Sequence, residues 1–230
     1  VSPGPALLQL SGLRKSFPAP DGGRKLIIDV PDFSLAMGEH IVLRGESGSG
    51  KTTFLNLISG ILAPDSGSIR IGGVDMAALG EHRRDLLRGS SIGYIFQTFN
   101  LLQGYSCLEN VMLGMTFGTR GDKAQALALL GRVGLSHRLN HYPRQLSSGQ
   151  QQRVAVARAL AKRPKLVLAD EPTGNLDHKN AREALELVRE TCLETGAALL
   201  LVSHDPEVLG TFHNVRDFAG LNVALKEASS

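Results

Sequence analysis

Residues 45 to 52 read Gly-Glu-Ser-Gly-Ser-Gly-Lys-Thr, which satisfies Gly-x-x-x-x-Gly-Lys-[Ser/Thr] at every fixed position. That spacing is the chemistry of a phosphate-binding loop. Glycines at 45, 48 and 50 let successive backbone N–H groups turn inward into a concave anion site that side chains would obstruct. Lys51 then reaches the outer phosphates, Thr52 offers a hydroxyl to Mg²⁺, and a helix opening at Gly50 adds the positive end of its dipole. The bland alternative is a glycine-rich turn before a buried helix. A second anion site is offered by Leu146-Ser-Ser-Gly-Gln150, although capping of the following helix by Ser147 or Ser148 already accounts for a serine there. The third cluster is the acid pair Asp170-Glu171, directly after the apolar run Leu166 to Ala169. Asp170 can hold Mg²⁺ through its water shell, and Glu171 can face an attacking water. Gln97 and His204 also end apolar runs, and each is either a solvated strand end or a contact in the phosphate site. Phe17, upstream of the loop, either stacks on a base or fills a sheet core.

These residues need elements to hold them. Ile41-Val42-Leu43 reads as a short buried strand and Thr53 to Ser59, with Phe54, Leu55, Leu57 and Ile58, as a helix. Strand, loop and helix thus come in the order the phosphate loop requires. Residues 7 to 43 alternate as antiparallel strands, with Asp21-Gly22-Gly23 turning between 7–17 and 25–30. Ala63 to Gly67 reads as a turn, Ser68 to Ile71 as a strand, and Ile92 to Phe96 as a strand running into Gln97. From about Thr98 to Arg163 the pattern is helical, with Ala124, Leu127, Leu130 and Val133 at three-residue spacing and an Ala- and Val-rich helix from Arg153 to Ala161. Lys165 to Ala169 is a buried strand, and residues 172–177 turn into a helix with its apolar stripe at Ala181, Ala184, Leu185, Val188 and Cys192. Cys192 is therefore a small core residue rather than a redox group. Ala197 to Val202 is a further strand, and the repeated order of strand, polar tip and helix predicts a doubly wound α/β sheet with its polar residues at one edge. Residues 207–230 carry no readable pattern, and Val1 to Pro5 and the end beyond Lys226 read as frayed.

The totals bound the answer. A chain of 230 residues fits one large domain or a core with an inserted subdomain, and 42% hydrophobic with 20% charged residues is ordinary for a globular protein. A formal charge of +3 and a pI near 9.0 argue for neither nucleic acid nor lipid. No apolar run approaches the roughly eighteen residues of a bilayer span, and no basic-then-apolar leader opens the chain. The chain is expected to be neither secreted nor membrane-spanning, so work at a membrane requires a partner. Cys107 and Cys192 form no close pair, which fits a reducing compartment. The first residue is Val1 rather than Met, as in a trimmed or partial sequence.

The phosphate loop, Gln97, Leu146 to Gln150, Leu166 to Glu171, Asn175-Leu-Asp177 and His204, in that order, closely resemble the nucleotide-binding domain of ABC transporters over about residues 7 to 210. Gln97-Thr-Phe-Asn-Leu-Leu102 and Asp170 to Asp177 further resemble the ATPases of the lipoprotein-release and macrolide-efflux group. The resemblance implies an α/β P-loop NTPase core with a mostly parallel sheet, an N-terminal antiparallel β subdomain and an inserted helical subdomain at about 98–163, all in one domain spanning 1–230. It implies ATP and Mg²⁺, with Phe17 on the adenine. Gly45, Glu46, Ser47, Gly48, Ser49, Gly50, Lys51, Thr52 and Thr53 lie around the phosphates, and Thr52, Gln97 and Asp170 serve the metal. Glu171 polarises the attacking water and His204 contacts the γ-phosphate, while Ser147, Ser148, Gly149 and Gln150 act on nucleotide held by another subunit and Asp177 lies at the dimer seam. A homodimer or pseudo-dimer is then required. Its membrane permease subunits dock near the Gln97 loop at the inner face of the cell membrane, with no nucleic acid partner. Ser148 stands where the family usually has glycine, which implies weaker tolerance of close phosphate approach rather than loss of activity. A soluble relative acting on DNA or ribosomes is the alternative, but Lys51 and Asp170 lie too close in sequence for a long coiled coil between them.

Overall fold

The computed structural model describes residues 6–20, 22–116 and 122–227. In chain order, strands β1 (Ala6–Pro18), β2 (Arg24–Ala36) and β3 (His40–Arg44) precede helix α1 (Lys51–Ile58), and β4 (Ser66–Ile71) and β5 (Val74–Asp75) precede α2 (Glu81–Ser91). Then come β6 (Ile92–Ile95), α3 (Cys107–Leu113), α4 (Lys123–Arg132), α5 (Ser148–Leu160), β7 (Leu166–Asp170) and α6 (His178–Thr195). The last elements are β8 (Ala198–Ser203), α7 (Pro206–Gly210), β9 (Val215–Asp217), α8 (Phe218–Leu221) and α9 (Ala224–Glu227). They divide into two compact units, Val1–Arg88 with Leu200–Ser230 and Gly89–Leu199.

The first unit carries an antiparallel sheet in the order β2-β1-β4-β5. Alternation sets its register: Leu8 lies opposite Leu35, Leu10 opposite Phe33 and Leu13 opposite Val30, all buried, while Gln9 and Ser11 between them are exposed. Phe54 of α1 meets Phe33 edge to face at 5.9 Å and Phe218 at 5.4 Å, so α1 docks on this sheet and on the C-terminal segment together. Strand β3 pairs in parallel with β9, Val42 opposite Val215, and its Ile41-Val42-Leu43 run is buried without alternation, as a strand covered on both faces must be. Asn222 pins the C-terminal segment to β2. Its side chain accepts from the Asp29 N–H at 2.8 Å and donates to the Ile27 carbonyl at 2.8 Å, imitating a strand neighbour.

In the second unit β6 and β7 pair in parallel, Ile92 opposite Leu166 through Ile95 opposite Ala169, and every residue of β7 is buried. Helices α3, α4 and α5 share a core of Val111, Ala126, Leu130, Val154 and Ala155. Strand β8 straddles the two units.

The expected strands lie within one to three residues of their observed positions except β2, which runs on to Ala36 from an expected end at 30, and the α6 stripe buries Cys192, whose thiol is pushed up to about 12 by desolvation. One expectation fails, and two stretches carried none. Residues 98–106 are not helical: the Asn110 side chain takes the Leu102 N–H at 2.9 Å and gives to the Leu102 and Tyr105 carbonyls, clasping a loop, and Ser106 caps the first helix at Cys107. Helix α2 was invisible because it buries no residue and so has no apolar stripe. Residues 207–230, which carried no pattern, hold α7, β9, α8 and α9. Asp21 of the first turn, the Val1–Pro5 tail and residues 228–230 lie outside the described residues. Among the described residues no helix is long and apolar enough to cross a membrane.

Candidate functional site

In the first unit the loop between β3 and α1 forms a cradle. Gly48 and Gly50 sit at φ +79° and +97°, a left-handed backbone that L side chains disfavour, and the Phe54 N–H bonds the Gly50 carbonyl at 2.9 Å to start α1. A Cβ on Gly45 would come within 3.1 Å of Ser49 Oγ and 3.2 Å of Phe218 Cβ, so the cradle wall also needs glycine there. Lys51, 6% exposed, folds across the loop and donates to the Gly45 carbonyl at 2.6 Å and the Glu46 carbonyl at 2.8 Å. Ser49 Oγ braces the same Glu46 carbonyl at 2.8 Å. Thr52 is exposed and Thr53 half-buried on the first turn of α1.

His204, at the exit of β8, faces the same 730 Å³ cavity as residues 45–49. The structure therefore brings the phosphate loop and His204 together. Arg44 and Asp217 lie at this cavity and pair at 2.9 Å, and that guanidinium, with the Ala219 N–H, holds the Asp217 carboxyl below the usual carboxylate range. A larger cavity of 850 Å³, with Gln9, Ser11, Arg70 and Arg216 on its walls, contains none of the phosphate-loop residues. Phe17 is half-buried on β1, opposite Lys25, with the Lys15 ammonium 5.8 Å from its ring centroid.

The second unit gathers the remaining residues around one turn. Asp170 ends β7 at 4% exposure and Glu171 follows at 8%, its backbone left-handed at φ +42°. The Gly174 N–H donates to the Glu171 carbonyl at 3.1 Å and the Leu176 N–H to that of Thr173 at 3.0 Å. Asn175 Nδ2 donates to the Gln97 carbonyl at 2.8 Å, which ties the strand tip after β6 to this turn. Asp177 caps α6 by accepting from the Asn180 N–H at 3.0 Å and from its side-chain amide at 2.6 Å. These donors hold the Asp177 carboxyl below its ordinary range.

Ser147 caps α5 in a reciprocal box: its Oγ accepts from the Gln150 N–H at 3.3 Å, and Gln150 Oε1 accepts from the Ser147 N–H at 3.1 Å. Ser148 is exposed at the first residue of α5 with no left-handed φ, so serine fits there without backbone strain. Gly149 is buried against α6, and a Cβ there would lie 2.5 Å from Asn180 Oδ1. Asn180 and Gln152, whose Nε2 donates to the Pro172 carbonyl at 2.6 Å, were not foreseen, and Asn175 was marked as part of a motif without a role of its own. Gln152 had one available signal, a polar residue on the buried face of an Ala- and Val-rich helix.

The cradle suits an anion: two left-handed glycines, a wall at Gly45 that a side chain would crowd and a buried lysine at the start of a helix are the parts of a phosphate site. The ABC transporter family pattern matches residues 28–174. The chain is 42% identical over 205 residues to the lipoprotein-releasing system ATP-binding protein LolD of Pseudomonas syringae pv. tomato, covering 87% of this chain and 89% of that one. It is 42% identical to the macrolide export ATP-binding/permease protein MacB of Rhodopirellula baltica, covering 88% of this chain but 30% of that larger protein. Among solved structures, the dimeric ATP-binding cassette MJ0796 in a post-hydrolysis state with ADP and Pi superposes with a TM-score of 0.85 at 32% identity, over 94% of this chain and 95% of that one.

Proposed function

The chain belongs to the ABC transporter family as an ATP-binding, ATP-hydrolysing cassette, and on that premise we propose that it drives a membrane export or extraction complex of the lipoprotein-releasing or macrolide-exporting kind. The names of the relatives at 42% identity support this choice over other branches. The whole 230-residue chain acts as one ATPase domain, with about 98–163 as its helical insertion. It works at the inner face of the cell membrane through permease subunits. The loop clasped by Asn110 supports such docking, because it leaves Leu102 and Tyr105 exposed shortly after Gln97.

In this proposal residues 45–53 hold the phosphates by backbone N–H groups, and Lys51 exchanges its loop carbonyls for phosphate oxygens. Phe17 stacks on the adenine through the part of its ring left open. Thr52, Gln97 and Asp170 would hold Mg²⁺, whose chemistry when bound is neutralisation of phosphate charge; a buried carboxylate with a hydroxyl and an amide suits a hard cation. Glu171 orients the attacking water and draws its proton, and His204 contacts the γ-phosphate. Each chain has two phosphate surfaces for one triphosphate. The second, Ser147 to Gln150, serves the nucleotide of a second copy, and Asp177 lies at the seam between the two. The dimeric state of the solved cassette supports that arrangement.

The observation that carries the hydrolytic assignment is Glu171, buried at the end of β7 with its backbone held left-handed. Glu171→Gln keeps the shape and removes the base. We expect it to bind ATP, to hydrolyse it at least about 100-fold more slowly, and to accumulate as an ATP-bound dimer on size-exclusion chromatography. Undiminished turnover would remove Glu171 from the mechanism.

A further inference from the structure

One face of α5 meets the turn after Glu171 at one point and helix α6 at another. Gly149 and Gln152 are both buried and three positions apart, which places them on the same side of the helix. Gly149 abuts Asn180, which Asp177 holds at 2.6 Å, and Gln152 Nε2 donates to the Pro172 carbonyl at 2.6 Å. A carbonyl can only accept, so this bond fixes which end of the Gln152 amide faces Pro172. Its Oε1 is left buried without a hydrogen-bond partner among the described residues.

A left-handed backbone at a residue with a side chain is disfavoured and persists only where the surroundings impose it. Three restraints that bear on the Glu171 backbone can be named among the described residues. Strand β7 fixes the chain before Glu171, with Ala169 paired to Ile95 of β6. The Gly174 N–H holds the carbonyl of Glu171, and Gln152 holds the carbonyl of the next residue. Of the three, Gln152 alone comes from α5, the helix whose first turn is Ser147 to Gln150.

We propose that Gln152 is a positioning residue for hydrolysis, setting Glu171 through the Pro172 carbonyl and tying that setting to the place of α5. A helix is stiff along its axis, so displacement of its 147–150 end moves the Gln152 amide with it. Contact of that end with nucleotide on a second copy is thereby read by the glutamate of the same chain. This rests on the assignment of Glu171 as the base.

The test compares the parent, Gln152→Met and Gln152→Asn, each alone and with Glu171→Gln. Met keeps the length and apolar stem while removing both the donor and the orphaned oxygen; because the buried Pro172 carbonyl then loses its donor, this variant is expected to melt below the parent yet remain folded. Asn keeps the amide but withdraws it by one methylene, and carries the same measurement if the Met protein does not fold. The expected result is kcat lowered about 10- to 100-fold by misplacement of the base, with KM for ATP within about twofold of the parent. Added to Glu171→Gln, neither change is expected to slow single-turnover hydrolysis further, because both act through one group. Parental kcat in both Gln152 variants, a loss confined to KM, or an equal further loss on top of Glu171→Gln would overturn the proposal. If Glu171→Gln itself turned over normally, the base assignment fails instead, and the two failures are told apart by that control.

Discussion

A Cβ added to Gly149 meets the oxygen of Asn180 at 2.5 Å, and that amide is held by the Asp177 cap of α6. Gly149→Ala must therefore push Asn180 off Asp177, an overpacking that costs about 1–3 kcal/mol. A melting temperature lower by roughly 2–10 °C, read by calorimetry, is the expected outcome. Gly149→Ala with Asn180→Ala is expected to restore it by removing the clash. ATPase activity of the restored double variant then separates two reasons for glycine: recovery means that only packing required it, and continued loss means that phosphate approach does too. Sequence spacing marked Gly149 as a phosphate-site residue, yet the neighbour that excludes a side chain lies on another helix, and no local pattern announces it. The cap of α5 was legible, as one of two candidate serines, because a cap is a local device, closed within four residues. The left-handed turn at Glu171 was not, since a glutamate gives no hint of positive φ.

At the scale of elements, alternation made β1 and β2 readable, and strand-loop-helix order made the phosphate loop readable. What stayed hidden depends on single side chains that bridge distant segments. Asn110 turns an expected helix into a clasped loop, and Asn222 completes the edge of β2 from the far end of the chain. Asp65 is a third such bridge, joining the turn before β4 to both long strands. Its carboxylate accepts from the Ser16 N–H at 2.7 Å, from Lys15 at 3.0 Å and from Arg24 at 3.2 Å. The Ser16 N–H foremost, then Lys15 and Arg24, lower this carboxyl from 3.8 to about 2. A carboxyl whose folded value is depressed stabilises the fold above its unfolded value and loses that contribution as pH falls through the folded one. The stability difference between the parent and Asp65→Asn is therefore expected to be constant at neutral pH, to shrink as pH falls below 3.8 and to vanish below about 2. Urea midpoints across that range check it, and a difference that persisted in strong acid would mean the carboxylate charge contributes nothing.

At the scale of the whole molecule, each chain owns one phosphate cradle, at 45–53, and one separate capped helix end, at 147–150. If the second serves the nucleotide of another copy, damage to the two surfaces must complement between chains. Lys51→Ala leaves the helix end intact and disables the cradle, while Ser147→Ala with Gly149→Ala does the reverse. Neither protein alone can build a competent site in any dimer. In a mixture, the chain with the intact cradle meets the chain with the intact helix end, and each mixed dimer holds one whole site and one doubly damaged one. With random pairing and independent sites, an equal mixture is expected to regain roughly a quarter of parental ATPase activity. Regain should rise and fall with the fraction of mixed dimers, which unequal mixing ratios vary directly. Absence of mixed-dimer activity, when cross-linking shows that mixed dimers have formed, would mean either that the helix end serves its own chain or that one damaged site silences the other. A tandem fusion of the parent with a Lys51→Ala copy decides between these, because it keeps both helix ends intact: turnover there leaves service in cis as the explanation, and silence leaves strict coupling of the two sites.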